Sequence, residues 1–140
     1  AYGSYVAGMA FSNVGLGIVH SMAHPLGARF DVPHGVANAL LLPYVMEYNK
    51  PAALKKYRDI ARAMGKKTDG LSDEEAANLA IEAVRELSLS INIPQHLSDI
   101  HIPKEALEQL ANDAFIDPCT GGNPRKTSVA EILELYHTAY

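Results

Sequence analysis

The chain has 140 residues, the length of one domain, and 48% of them are hydrophobic, which is enough to form a core. Twelve lysines and arginines against sixteen acidic residues give a formal net charge of -4, so nucleic acid and anionic membranes are poor candidates as partners. The longest apolar stretches are too short and too interrupted for a bilayer span of about 20 residues. The single cysteine excludes an internal disulfide and suits a reducing compartment. We therefore expect a soluble, cytoplasmic protein.

Helical patterns begin at the first residues of the chain. Helical spacing predicts helices over 1–11 and 14–24, with a break at the two polar residues between them. Pro25 and Gly27 are expected to end the second helix, because proline disfavours helix at the preceding residue and glycine accepts a left-handed turn. A loop is then predicted through Pro33.

Further helices are predicted from their start and stop signals. Pro43 is expected to kink or divide the third helix. Ser72 and Glu75 form a capping box that predicts the start of another helix, and 118–125 has the composition of a turn. Together these features predict an all-α domain with the architecture of a helical bundle. These helices are predicted over 34–48, 50–64, from Ser72 through Leu87, over about 103–114 and from Thr127 or Ser128 to about His137.

Half of the six histidines fall in a short glycine-rich segment. His20 and His24 are four residues apart, so on a helix their imidazoles share one face and can reach one metal ion. The turn-rich loop that follows can bring His34 back against this pair. The alternative is that each imidazole is a half-buried, hydrogen-bonded side chain. Asp31 is the only carboxylate nearby, so a metal site with three or more protein ligands would need residues from elsewhere.

Three other features have plain structural explanations. The GLG sequence at 15–17 is not a dinucleotide-binding motif, since His20 stands where the third glycine is required. Cys119 has no base beside it in sequence, which favours a lining or turn role over a nucleophilic one. Arg125 is expected to be solvated or paired with a carboxylate.

The segment GMAFSNVGLGIVHSMAHPLGARFDVPHGVANALLLPYVMEYN resembles the signature region of the iron-containing (group III) alcohol dehydrogenases. In that family a G-x-x-H-x-x-x-H-P-L-G block is followed by P-H-G. The segments KYRDIARAMG, IPQHLSDI and CTGGNPRKTSVAEILELYHTAY continue the resemblance over essentially the whole chain.

The resemblance implies the helical C-terminal domain of the dehydroquinate synthase-like fold. Such enzymes have an N-terminal α/β domain that binds NAD, and catalysis takes place in the cleft between the two domains. Residues 1–140 would be the helical metal-binding domain of a longer polypeptide, without its N-terminal domain. The first helix has no capping residue ahead of Ala1, which also favours a fragment. The full-length enzyme is expected to be a homodimer.

The resemblance also implies the roles of site residues. His20 and His34 would bind Fe²⁺, together with an Asp and a His from a helix upstream of Ala1, although this donor set also suits Zn²⁺. Spacing alone predicts that His20 and His24 bind one metal ion together, whereas the resemblance to the family implies that His20 and His34 do so. His24 resembles a histidine near the nicotinamide with a proton-relay role. Residues of the substrate and cofactor cleft would be Phe11, Asn13, Gly17 and Cys119.

The implied reaction is the reduction of lactaldehyde to propane-1,2-diol with NAD(H). Two alternatives remain at this point. One is a zinc-dependent glycerol dehydrogenase or a propane-1,3-diol dehydrogenase relative, against which the CTGGNPR segment argues. The other is a helical interaction module without catalysis, in which the histidines would be dispersed.

Overall fold

The computed structural model describes all residues 1–140 and contains helices but no strand, which confirms the predicted all-α fold. Six α-helices carry most of the chain, and three short 3-10 helices lie in the second half. The α-helices are α1 (Tyr2–Val14), α2 (Ile18–Phe30), α3 (His34–Ala63), α4 (Asp73–Ser90), α5 (Leu107–Ile116) and α6 (Val129–Thr138). The 3-10 helices are η1 (Leu97–Ile100), η2 (Lys104–Ala106) and η3 (Pro118–Gly122).

The first helix boundary differs from the prediction. The chain remains helical through Ser12 and Asn13, and α1 ends at Gly15, whose φ of 84° lies in the left-handed region that favours glycine. No single helix has both the length and the apolar character needed to cross a bilayer; α1 and α2 meet those criteria only together, bent by 109°.

The predicted stop at Pro25 is wrong, because α2 continues through this proline to Phe30. Met22 and Leu26 are fully buried on either side of Pro25, so tertiary packing compensates for the backbone hydrogen bond that proline cannot make. The helix ends instead at Asp31, which adopts a left-handed conformation with φ of 54° and donates its backbone N–H to the Gly27 carbonyl.

The two helices predicted over 34–48 and 50–64 form one bent element, α3. The irregularity lies at Ala53, with φ of -141° and ψ of 20°, two residues after Pro51. Pro43 is buried inside the helix and does not divide it. The kink that was predicted at Pro43 therefore lies just after Pro51 instead.

The main core lies between α2, the first half of α3, α5 and α6. A smaller cluster joins the second half of α3 to α4, whose predicted capping box at Ser72 is confirmed. On α4, Ala76, Ala80 and Ala83 are buried, whereas Leu87 is exposed. The largest fully buried side chains are Tyr136, Ile18, Met22, Leu26, Leu40, Leu41, Ile81, Leu97, Ile102, Leu107, Leu110 and Ile132.

The apolar helix α1 contributes nothing to either cluster, since none of its residues is buried. Tyr2 and Tyr5, at the start of this helix, are 81% and 65% exposed, so neither lies in the core of these 140 residues.

Candidate metal and cofactor site

Three imidazoles converge at the start of α3. The ring centroids of His20 and His34 lie 5.4 Å apart, those of His24 and His34 5.6 Å, and those of His20 and His24 6.1 Å. The rings of His24 and His34 are nearly parallel, at 19°. These three side chains, hereafter the imidazole cluster, come together as the sequence predicts, with the helix face and the returning loop both contributing.

Local structure explains this convergence. His20 and His24 lie one turn apart on α2, so both project from the same face. The chain reverses after Asp31, and buried Val32 anchors the connection to the core. His34 is the first residue of α3, and the side-chain amide nitrogen of Asn38 lies 3.2 Å from its Nε2.

The electrostatics of the cluster favour neutral imidazole at His20. Partial burial lowers the pKa of His20, and the neighbouring His34 and His24 lower it further. A neutral imidazole presents a nitrogen lone pair, which is the form that binds a metal ion. The imidazole nitrogens of His20 and His34 are donors for two positions in a metal site, whereas a complete site requires further ligands.

Asp117, which the sequence analysis missed, reaches the cluster from the junction between α5 and η3. Its Oδ2 lies 2.7 Å from Nδ1 of His24, and its Oδ1 accepts a hydrogen bond of 2.8 Å from the backbone N–H of Cys119. Burial acts to raise the pKa of the Asp117 carboxyl, but the hydrogen bonds from His24 and Cys119 outweigh it and leave the pKa below its ordinary value. The Asp-Pro dipeptide at 117–118, which is typical of turn starts, was the available signal.

Cys119 lies half-buried in η3 beside this carboxylate. Burial raises the pKa of the thiol, and Asp117 raises it further, so the protonated form is favoured. A protonated thiol is a weak nucleophile, in agreement with a lining or turn role. The side chains of His24, Asp117 and Cys119 bring nitrogen, oxygen and sulfur donors within 4.8 Å of one another.

The other residues assigned to the cleft lie on or next to α1. The Phe11 ring is half-exposed, and its centroid is 6.3 Å from that of His20. Asn13 is exposed and donates a hydrogen bond to the Met9 carbonyl within its own helix. Gly17 begins α2, where a Cβ atom would lie 3.0 Å from Oδ1 of Asn123. Their assignment to cofactor binding stays a prediction.

A turn at Gly122 and Asn123 packs against the start of α2 and against α3. The Asn123 side chain exchanges hydrogen bonds of 2.8 and 2.9 Å with the Asn49 side chain and accepts from the backbone N–H of Ile18 at 3.4 Å. Gly122 passes so close to the Leu16 carbonyl that a Cβ atom would collide with it. The GGN sequence thus ties α2 to α3.

Arg125 follows this turn, and its side chain makes two structural contacts. Its guanidinium lies 3.9 Å above the Tyr48 ring and pairs with Glu131 at 3.1 Å. The predicted carboxylate pairing is confirmed.

An open apolar groove of about 860 Å³ runs beside the cluster, between the start of α2 and the outer face of α3. Its wall includes His20 and Asn38, and the Asn38 Oδ1 atom is buried without a hydrogen-bond partner. The apolar lining consists mainly of Val14, Leu16, Val19, Leu42, Val45, Met46, Tyr57 and Ile60.

Comparison with known proteins agrees with this architecture. The C-terminal part of the Fe-containing alcohol dehydrogenase family matches residues 1–140. Lactaldehyde reductase of Escherichia coli K12 is 59% identical over 100% of this chain and 37% of its own length, and 1,3-propanediol dehydrogenase of Citrobacter freundii is 50% identical over 100% and 36%. The crystal structure of a 1,3-propanediol oxidoreductase superposes with a TM-score of 0.98 at 47% identity, covering 100% of this chain and 37% of that one.

The chain thus spans little more than a third of the length of these relatives, and all of it is matched. The resemblance seen in the GLGIVHSMAHPLG and PHG motifs is confirmed over the whole sequence. The chain belongs to the iron-containing alcohol dehydrogenase family, and its helical fold is that of the family's C-terminal domain.

Proposed function

We propose that this chain is the metal-binding domain of an NAD(H)-dependent dehydrogenase that reduces lactaldehyde to propane-1,2-diol. The observation that carries the proposal is the imidazole cluster, in which the His34 ring on α3 lies 5.4 and 5.6 Å from the His20 and His24 rings on α2. The 59% identity to a lactaldehyde reductase supports the substrate. The family's iron content supports Fe²⁺ as the metal, and the same donors also suit Zn²⁺.

His20 and His34 would hold the metal ion, and the longer polypeptide would supply the remaining ligands. When bound, the ion supplies Lewis acidity that polarises the aldehyde oxygen. Partial burial and the two neighbouring rings keep His20 in its neutral, coordinating form. These two imidazoles would hold a divalent cation, and the His24 ring lies against both of them.

In the direction of reduction, His24 takes up a proton from solvent and passes it to the oxygen of the product alcohol. An imidazole is suited to this role because it exchanges protons near neutral pH. Its ring lies against those of both candidate ligands, with centroids 6.1 Å from His20 and 5.6 Å from His34. Phe11 and Cys119 line the space around the reacting carbonyl and limit its access to water. Asn13 and Gly17 would contact NAD(H).

The rest of the enzyme covers the surfaces that this domain leaves open. All of α1 is unburied, the groove beside His20 is apolar, and the Asn38 Oδ1 atom lacks a partner. An NAD-binding α/β domain and further helices of the same polypeptide would cover these surfaces and complete the metal site. This assignment agrees with the 37% of the lactaldehyde reductase that the chain spans.

The decisive experiment replaces His20 with alanine in the longer polypeptide that carries this chain. We expect lactaldehyde-dependent NADH oxidation to fall at least about 100-fold, with loss of bound iron by elemental analysis, because a ligand is removed. His137→Ala, an exposed histidine on α6, is the control and should retain both metal and rate. Full metal content and full activity in His20→Ala would overturn the assignment.

The isolated 140-residue chain gives a second test. Because it supplies only two of the proposed ligands, we expect it to bind iron weakly and to show no dehydrogenase activity. Stoichiometric, tightly held iron in the purified chain would contradict the proposed ligand set.

A propane-1,3-diol dehydrogenase is the competing assignment, since relatives with that activity in their names reach 50% identity. The ratio of kcat/KM for lactaldehyde to that for 3-hydroxypropanal separates the two. We expect a ratio above one, and a ratio well below one would favour the alternative.

A further inference from the structure

We infer that Asp117 is a positioning residue for His24, holding its ring in the tautomer that carries hydrogen on Nδ1 and leaves Nε2 free to exchange a proton. This inference rests on the proposed function of His24 and adds a residue to it. Neither side chain is near the other in sequence, since 93 positions separate them.

The geometry of the pair is that of a charge-assisted hydrogen bond. Nδ1 of His24 lies 2.7 Å from Oδ2 of Asp117, and the two side chains are 39% and 15% exposed. Hydrogen bonds from His24 and Cys119 overcome the effect of burial and lower the pKa of Asp117, so the carboxyl is ionised near neutral pH. An ionised carboxylate only accepts hydrogen bonds, so Nδ1 must carry the hydrogen.

The carboxylate itself is fixed by the turn in which it stands. Asp117 caps η3, and its Oδ1 accepts from the Cys119 backbone N–H at 2.8 Å. The Thr120 hydroxyl donates to the Ala114 carbonyl at 2.7 Å and lies 2.8 Å from the Ser21 hydroxyl, which ties η3 to α5 and to α2. The turn is therefore anchored on the same helix that carries His24.

The side chains of His24, Asp117 and Cys119 do not form a second metal site in this arrangement. The 2.7 Å separation between Nδ1 and Oδ2 has the length of a hydrogen bond, and the other carboxylate oxygen is already occupied by the Cys119 amide. The Cys119 thiol, moreover, has a raised pKa, which disfavours the thiolate that a metal ion would bind.

The tautomer is measured directly by long-range ¹H–¹⁵N NMR on the 140-residue chain labelled at histidine. Wild-type His24 should show hydrogen on Nδ1, whereas in Asp117→Ala it should shift toward the Nε2–H form that predominates in free histidine. Asp117→Leu, whose side chain also lacks an acceptor, serves if the alanine variant does not fold. The Nε2–H form in the wild type, or an unchanged tautomer in both variants, would overturn the inference whatever the substrate.

Steady-state kinetics on the longer polypeptide test the consequence. We expect Asp117→Ala to lower kcat about 10- to 100-fold, with KM for lactaldehyde and iron content within about twofold of wild type. Asp117→Asn should recover part of the loss, because its carbonyl still accepts from Nδ1–H. The matched control is Asp113→Ala, a carboxylate one turn earlier that pairs with Arg29 and not with an imidazole.

The outcomes remain separable. Loss of iron in parallel with kcat, or a kcat within twofold of wild type in Asp117→Ala, would contradict a positioning role. Absence of lactaldehyde activity in the wild type would count against the proposed function alone, since the tautomer is scored without substrate.

Discussion

The first two helices have the same length and similar composition, yet they pack very differently. Both α1 and α2 have 13 residues and a largely apolar composition. Only α2 packs: six of its residues are buried, and it contacts α3, α5 and η3, whereas α1 has none buried. Apolar composition alone therefore does not decide burial. A helix is buried when the rest of the chain supplies a complementary surface, as α3 and α5 do for α2.

The strongest test of this comparison uses one methionine from each helix. Met22 on α2 is 0% exposed, and Met9 on α1 is 46% exposed. We expect Met22→Ala to lower the free energy of unfolding of the 140-residue chain by about 2–5 kcal/mol, because it leaves a cavity in the main core. Met9→Ala should change it by less than about 0.5 kcal/mol. Urea denaturation followed by circular dichroism measures both, and equal losses would show that α1 is packed after all.

A smaller effect is expected in the connection between the two helices. A Cβ atom on Gly122 would collide with the Leu16 carbonyl, whereas one on Gly121 would meet nothing within 4 Å. Gly122→Ala should therefore cost about 1–3 kcal/mol, since backbone must move to admit the methyl group. Gly121→Ala is the matched control and should be nearly neutral. Thermal melts of both variants check the difference, and similar melting temperatures would show that the turn is not closely packed against the linker.

The smallest effect concerns the hydrogen bond between His24 and Asp117, which ties α2 to η3. Because the folded-state pKa of Asp117 lies below its ordinary value of 3.8, its contribution to stability is complete above that value and is lost as pH falls through the lowered pKa. The stability advantage of wild type over Asp117→Asn should therefore shrink on acidification from about pH 5 to about pH 2. Urea midpoints at several pH values measure it. An advantage that does not change with pH would show that ionisation of Asp117 does not contribute to stability.

Features that depend on neighbouring residues could be predicted from the sequence. The capping box at Ser72 is an exchange of hydrogen bonds between residues three positions apart, so the sequence is sufficient to predict it. The all-α class also follows from local periodicity. The shared face of His20 and His24 follows from the geometry of one helical turn.

Prolines show where local rules fail. Pro25 was expected to end α2 and Pro43 to divide α3, yet both lie buried within continuous helix. The contacts of Met22 and Leu26 with other helices outweigh the missing backbone hydrogen bond at Pro25. Such contacts join residues far apart in the chain, and no local window of sequence contains them.

The sequence by itself determined the all-α class and the family, and it singled out His20, His24 and His34 as candidate site residues. Only the tertiary structure decided that His34 lies against His20 and His24, that Asp117 from the far end of the chain hydrogen-bonds to His24, and that α1 stays uncovered. The physical reason is that helix formation is set mainly by residues within a turn or two. Convergence and burial depend on how distant helices pack, which is a property of the whole chain.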